Sequence, residues 1–94
     1  MAIAELTDVQ CYYEMQGQGS PVILIAGLGG TCRTWDPVIN ELAKQFSVIC
    51  ADNRGIGQSI ARRPVRTLRD YSADLVELLD TLQVDQAHVI GLSL

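Results

Sequence analysis

At 94 residues, 48% of them apolar and 19% charged, the chain is sized and composed for one small folded domain, not for a disordered or coiled-coil protein. A net charge of -4 argues against a polyanion partner, so neither nucleic acid nor an anionic membrane surface is expected. No run of about 18 apolar residues occurs, and residues 1–7 lack the basic start of a leader, so the sequence predicts no membrane span and a cytoplasmic protein.

In chain order, residues 9–15 are rich in aromatic and β-branched residues and end in the turn formers Gln16-Gly17-Gln18-Gly19-Ser20-Pro21, which predicts an opening antiparallel hairpin. Residues 22–26 (VILIA) are an unbroken apolar run, the composition of a strand covered on both faces of a parallel sheet. The turn Gly27-Leu28-Gly29-Gly30 follows. Asp36 then reads as a helix cap with Pro37 in the first turn, and Val38, Ile39, Leu42, Ala43 and Phe46 recur at helical spacing. Residues 47–51 (SVICA) predict a second buried strand, closed by the segment 52–59. A second helix starts at the pair Thr67 and Asp70 and carries the stripe Leu68, Tyr71, Leu75, Leu78, Leu79 and Leu82. A third buried strand, residues 87–90, precedes Gly91-Leu92-Ser93-Leu94.

Strands alternating with helices predict an α/β fold: an N-terminal hairpin, then parallel strands joined by right-handed crossover helices, all within one domain. In such sheets ligands bind beyond the carboxyl ends of the strands, which directs attention to the segments after Ala26, Ala51 and Ile90. Gly91-x-Ser93 after a strand begins a nucleophile elbow, G-x-S-x-G, a strained turn that bares the serine hydroxyl. Five of the seven cations, Arg54, Arg62, Arg63, Arg66 and Arg69, occur with no acid between them and read as a solvated loop. Cys11, Cys32 and Cys50 are odd in number and lack C-x-x-C spacing, so they predict structural thiols and neither a disulfide framework nor a zinc site. Cys32, near a helix start, has a lowered pKa as its alternative reading.

With these segments in order, the chain resembles the α/β-hydrolase superfamily, in its esterase, enol-lactonase and cofactor-free haloperoxidase branch. Gly27-Leu28 looks like that family's oxyanion turn, and Asp52-x-Arg54-Gly55-x-Gly57-x-Ser59 matches its D-x-R-G-x-G-x-S segment. Ala26 stands where the branch usually has His, which bears on how the turn is oriented. The resemblance implies a partial α/β-hydrolase sheet spanning 1–94, with Ser93 as nucleophile and the backbone N–H groups of Leu28 and Leu94 as oxyanion hole. It implies cleavage of a small carboxylic ester or lactone through an acyl-enzyme, with no cofactor and no metal. The triad acid and histidine, which follow the serine in this fold, are then expected beyond residue 94, in a C-terminal part or a second chain. Asp52, Arg54, Gly55 and Gly57 take turn-shaping roles, and His88, five residues before Ser93, is a structural residue.

Two rival readings stand beside this one. A dinucleotide-binding half-domain is suggested by Gly27-x-Gly29 after a strand and by Asp52 after the next, but the third glycine of that pattern falls on Cys32. A non-catalytic fragment or binding module is suggested by a sheet too small for the family, which leaves an uncovered edge.

Overall fold

Runs of apolar and β-branched residues separated by two amphipathic stripes fix the element order. The computed structural model, which describes residues 2–92, has strands β1 (Ala2–Glu5), β2 (Val9–Gln16) and β3 (Ser20–Ile25), a short 3-10 turn (Cys32–Trp35) and helix α1 (Asp36–Leu42). Strand β4 (Phe46–Ala51), the two-residue β5 (Ile60–Ala61), helix α2 (Leu68–Thr81) and strand β6 (His88–Gly91) complete it. The main sheet runs β1-β2-β4-β3-β6, with β5 on the side of β2. β4, β3 and β6 are parallel, while β1 and β2 are antiparallel to their neighbours.

Alternation along the strands divides the interior into two layers, since successive side chains of a strand leave opposite faces. Ile23, Ile49 and Cys11 meet Leu75, Leu78 and Leu79 of α2, whereas Val22, Leu24, Val48 and Cys50 meet Trp35 and Ile39 on the α1 side. Helix α2 starts where Asp70 reaches back to accept from the N–H groups of Arg66 (2.7 Å) and Thr67 (3.2 Å). Those two bonds hold the Asp70 carboxyl below its ordinary pKa.

Four expectations need correction. The opening hairpin is made by β1 with β2, tied by Leu6 N–H to Val9 O at 2.9 Å, and not by the glycine-rich turn after β2. That turn leads to β3, which is separated from β2 by β4; Gly17 (φ 88°) and Gly19 (φ 123°) let it pass tightly over the α1–β4 link, where a Cβ at either would meet the backbone of Ala43 to Phe46. Asp36 opens α1 from inside, Trp35 holding the cap position, and Phe46 belongs to β4, not to the helix. β6 is exposed along its length, not buried: β3 pairs one edge, and among the described residues no strand takes the other.

Candidate active site

Because β4, β3 and β6 are parallel, the segments after all three emerge at one end of the sheet, and β3 lies in the middle. Ile25 of β3 is opposite Gly91 of β6, and the Leu92 N–H continues the ladder to Ile25 O at 3.1 Å. The turn after β3 therefore stands beside the segment that leaves β6. Gly30 N–H closes this turn on Gly27 O at 2.9 Å, and Gly29 takes φ 77°. Gly30 is needed for room: a Cβ there would lie 2.9 Å from Thr34 Oγ1 and 3.0 Å from Ala26 Cβ. Leu28 sits at the tip with 77% of its surface exposed, and no described residue accepts a hydrogen bond from its N–H. Ser93 and Leu94 lie outside the described residues.

The D-x-R-G-x-G-x-S segment holds the loops in place. Asp52, 3% exposed, accepts from Cys32 N–H through Oδ1 (2.8 Å) and from Gln58 N–H through Oδ2 (2.9 Å), joining the segment after β3 to the segment after β4. Asn53 Nδ2 donates to Ala26 O at 3.4 Å, so the strand end that lacks a histidine is anchored from its neighbour. Ser59 Oγ donates to Asp52 O (2.7 Å) and accepts from Tyr12 N–H (2.9 Å). Gly57, at φ 57°, has no room for a side chain, because a Cβ would press on Asp52 Oδ2 and lie 2.8 Å from its Cγ.

Arg54 is buried rather than part of a solvated basic loop. Its guanidinium grips Asp74 of α2 with Nε (2.9 Å) and Nη2 (2.7 Å) and lies 3.5 Å from Asp8. The hydrogen bonds to Asp74 hold the guanidinium above its ordinary pKa. The other arginines of that run divide: Arg62 pairs with Glu5 and Arg63 approaches Asp8 at 3.6 Å. Asp74 escapes the sequence reading although a signal is present: it lies three residues after Tyr71 and four before Leu78, an acid on the apolar stripe of α2.

His88 begins β6, at the end of the strand opposite Gly91, and its ring meets that of Phe46 edge to face with centroids 6.3 Å apart. Asp52 is unavailable to a ribose, since both its oxygens are engaged. Cys32 is buried, and its thiol is pushed up, not down, by its hydrogen bond with Cys50 and by burial. Cys11 is likewise pushed up to about 11 by burial. Glu14, Cys32 and Cys50 bring their ligand atoms within 4.8 Å of one another, a cluster that no sequence spacing announces. Among the described residues no helix is long and apolar enough to cross a membrane.

Comparison with known proteins agrees with this geometry. Residues 20–94 match the sequence profile of the alpha/beta hydrolase fold. A candidate carbamate hydrolase, RutD, of Azorhizobium caulinodans is 37% identical over 91 residues, which cover 97% of this chain and 34% of that protein. A candidate non-heme bromoperoxidase, BpoC, of Mycobacterium tuberculosis is 40% identical over 84 residues, 87% of this chain and 32% of its own. The enol-lactonase of Burkholderia xenovorans superposes with a TM-score of 0.92 at 29% identity, covering 98% of this chain and 37% of the lactonase. The chain thus spans about a third of the length of the relatives it matches.

Proposed function

The chain belongs to the alpha/beta hydrolase fold family, and from that premise we propose that it is the N-terminal portion of a serine hydrolase cleaving a carboxylic ester or lactone. Ser93 Oγ attacks the carbonyl carbon, the oxyanion is received by the N–H groups of Leu28 and Leu94, and water resolves the acyl-enzyme. Each such donor contributes about 3 to 4 kcal/mol of transition-state stabilisation. The base and its orienting acid belong to residues after Leu94, on the same polypeptide or on a second chain, because no described side chain can serve: His88 is at the wrong end of β6 and Asp52 is fully engaged.

The observation that carries this reading is the Leu28 turn. It rises from the central strand beside the exit of β6, with an N–H that meets no described acceptor, while Asp52 and Asn53 brace it from the other side. The names of the relatives point the same way, since lactone and carbamate hydrolysis both proceed at a carbonyl carbon. Three buried, unpaired cysteines suit a reducing compartment, for which we take the cytoplasm.

A fluorophosphonate probe tests the assignment on the protein carrying its C-terminal part. Labelling is expected at Ser93 and is expected to vanish, together with esterase turnover, in Ser93→Ala. Labelling that survives the substitution defeats the assignment.

A further inference from the structure

On the α1 face of the sheet, three side chains with metal-binding chemistry converge. Glu14 stands opposite Cys50 in the antiparallel β2–β4 ladder, so both point to the same side. Cys32 is brought above the end of β4 by its own backbone N–H, which Asp52 holds at 2.8 Å. The carboxylate and the two sulfurs lie within 4.8 Å of one another. We propose that Glu14, Cys32 and Cys50 form a binding site for one thiophilic divalent cation of the zinc type.

The donor set decides the kind of cation. Two sulfurs and one carboxylate oxygen suit zinc or cadmium and are poor partners for magnesium or calcium, which take oxygen. Around zinc, with bonds of about 2.0 to 2.3 Å, tetrahedral ligand atoms sit roughly 3.3 to 3.8 Å apart, so closing the site from its present spacing asks for an inward shift of about 1 Å at most. A cavity of about 130 Å³ adjoins Glu14 and Cys32 and has room for the water that completes four-coordination.

Charge also balances. Two thiolates and a carboxylate bring three negative charges and the cation two positive ones, and the remaining charge meets Arg33, already paired with Glu14. Arg33 is 60% exposed on its side chain, so it can yield the Glu14 oxygen to the cation and still stand beside the site. Tyr12 Oη donates to Glu14 Oε2 at 2.5 Å and so orients the carboxylate. As each sulfur bonds the metal its proton leaves to solvent, and no electron is transferred. The bound ion would tie β2, β4 and the 3-10 turn together, which makes it a structural staple independent of Ser93.

The test uses the 94-residue chain, freed of metal under a non-thiol reductant and titrated with cadmium while the ultraviolet thiolate charge-transfer band is followed. One equivalent should saturate the band, zinc should compete it away, and zinc should raise the thermal midpoint. Cys32→Ser and Cys50→Ser should each abolish the band. Glu14→Gln, a near-isosteric change at a half-buried position, should weaken binding roughly 10-fold or more and keeps the proposal testable should a cysteine variant fail to fold. Cys11→Ser, on the α2 face, and Ser93→Ala should bind as the parent does. Absence of a band in the folded parent, binding unchanged in Glu14→Gln, or equal loss in Cys11→Ser overturns the proposal.

Discussion

Substituting Gly57 by Ala isolates the contact on which the loop arrangement depends. The residue has φ 57°, where a side chain costs about 1 to 2 kcal/mol from backbone strain alone. The new Cβ also falls on Asp52, meeting Oδ2 and lying 2.8 Å from Cγ, with Thr31 Cγ2 at 2.9 Å behind it. Asp52 is 3% exposed and accepts through both oxygens, so turning away from that Cβ releases Gln58 N–H, Cys32 N–H or both. Each hydrogen bond to that carboxylate is worth about 1.5 to 3 kcal/mol. Strain plus one lost bond gives a destabilisation of roughly 2.5 to 5 kcal/mol.

Gly29→Ala supplies the control. Gly29 also has a positive φ, 77°, but nothing lies within 4 Å of the place its Cβ would take, so it should lose only the strain of about 1 to 2 kcal/mol. Urea denaturation of both variants and the parent, read by far-ultraviolet circular dichroism, measures the difference. Agreement of the two variants within about 0.5 kcal/mol, the usual spread for independent sites, would show that Asp52 yields without cost and that it does not brace the loops.

Asp74→Ala should destabilise by about 3 kcal/mol, because it strands a guanidinium that is 3% exposed, and pairing it with Arg54→Met should recover part of that loss; additive penalties in the double-mutant cycle would refute the pairing. The Asp70 carboxyl is held below its ordinary pKa, so its contribution is present above the unfolded value of about 3.9 and disappears as the pH falls through the folded one. Asp70→Asn should therefore lower the thermal midpoint at neutral pH, and the gap to the parent should close in acid; a gap that is constant with pH contradicts the capping role. The 94-residue chain by itself should show no ester turnover above background, and burst kinetics from it would contradict the placement of the base beyond Leu94.

What the sequence discloses is what is written locally. The stripe Leu68, Tyr71, Leu75, Leu78, Leu79 and Leu82 marks α2 because helical spacing is a neighbour-to-neighbour property; the last four pack on the core, while Leu68, in the first turn, is exposed. The apolar runs of β3 and β4 are legible for the same reason, as are Asp52 and Gly57, whose close fit lies within one loop. β1 and β5 go unseen because each is short and gains its identity only from β2. The strand order is equally silent: nothing in residues 46–51 says that they will slide between β2 and β3.

That insertion is what creates the features the sequence hides. By separating β2 from β3, β4 sets Cys50 opposite Glu14 on one side and beside Leu24 on the other, and it carries the segment 52–59 to where Asp52 can reach back to Cys32 and Arg54 across to Asp74. The same insertion leaves β3 flanked by β4 and β6, so the Leu28 turn has the braced Asp52 loop on one side and the exit of β6 on the other. The candidate oxyanion turn and the cysteine cluster are thus two consequences of one pairing choice. A change that weakened the β2–β4 ladder should disturb both, whereas Gly57→Ala should reach the two through Asp52 and Cys32 alone.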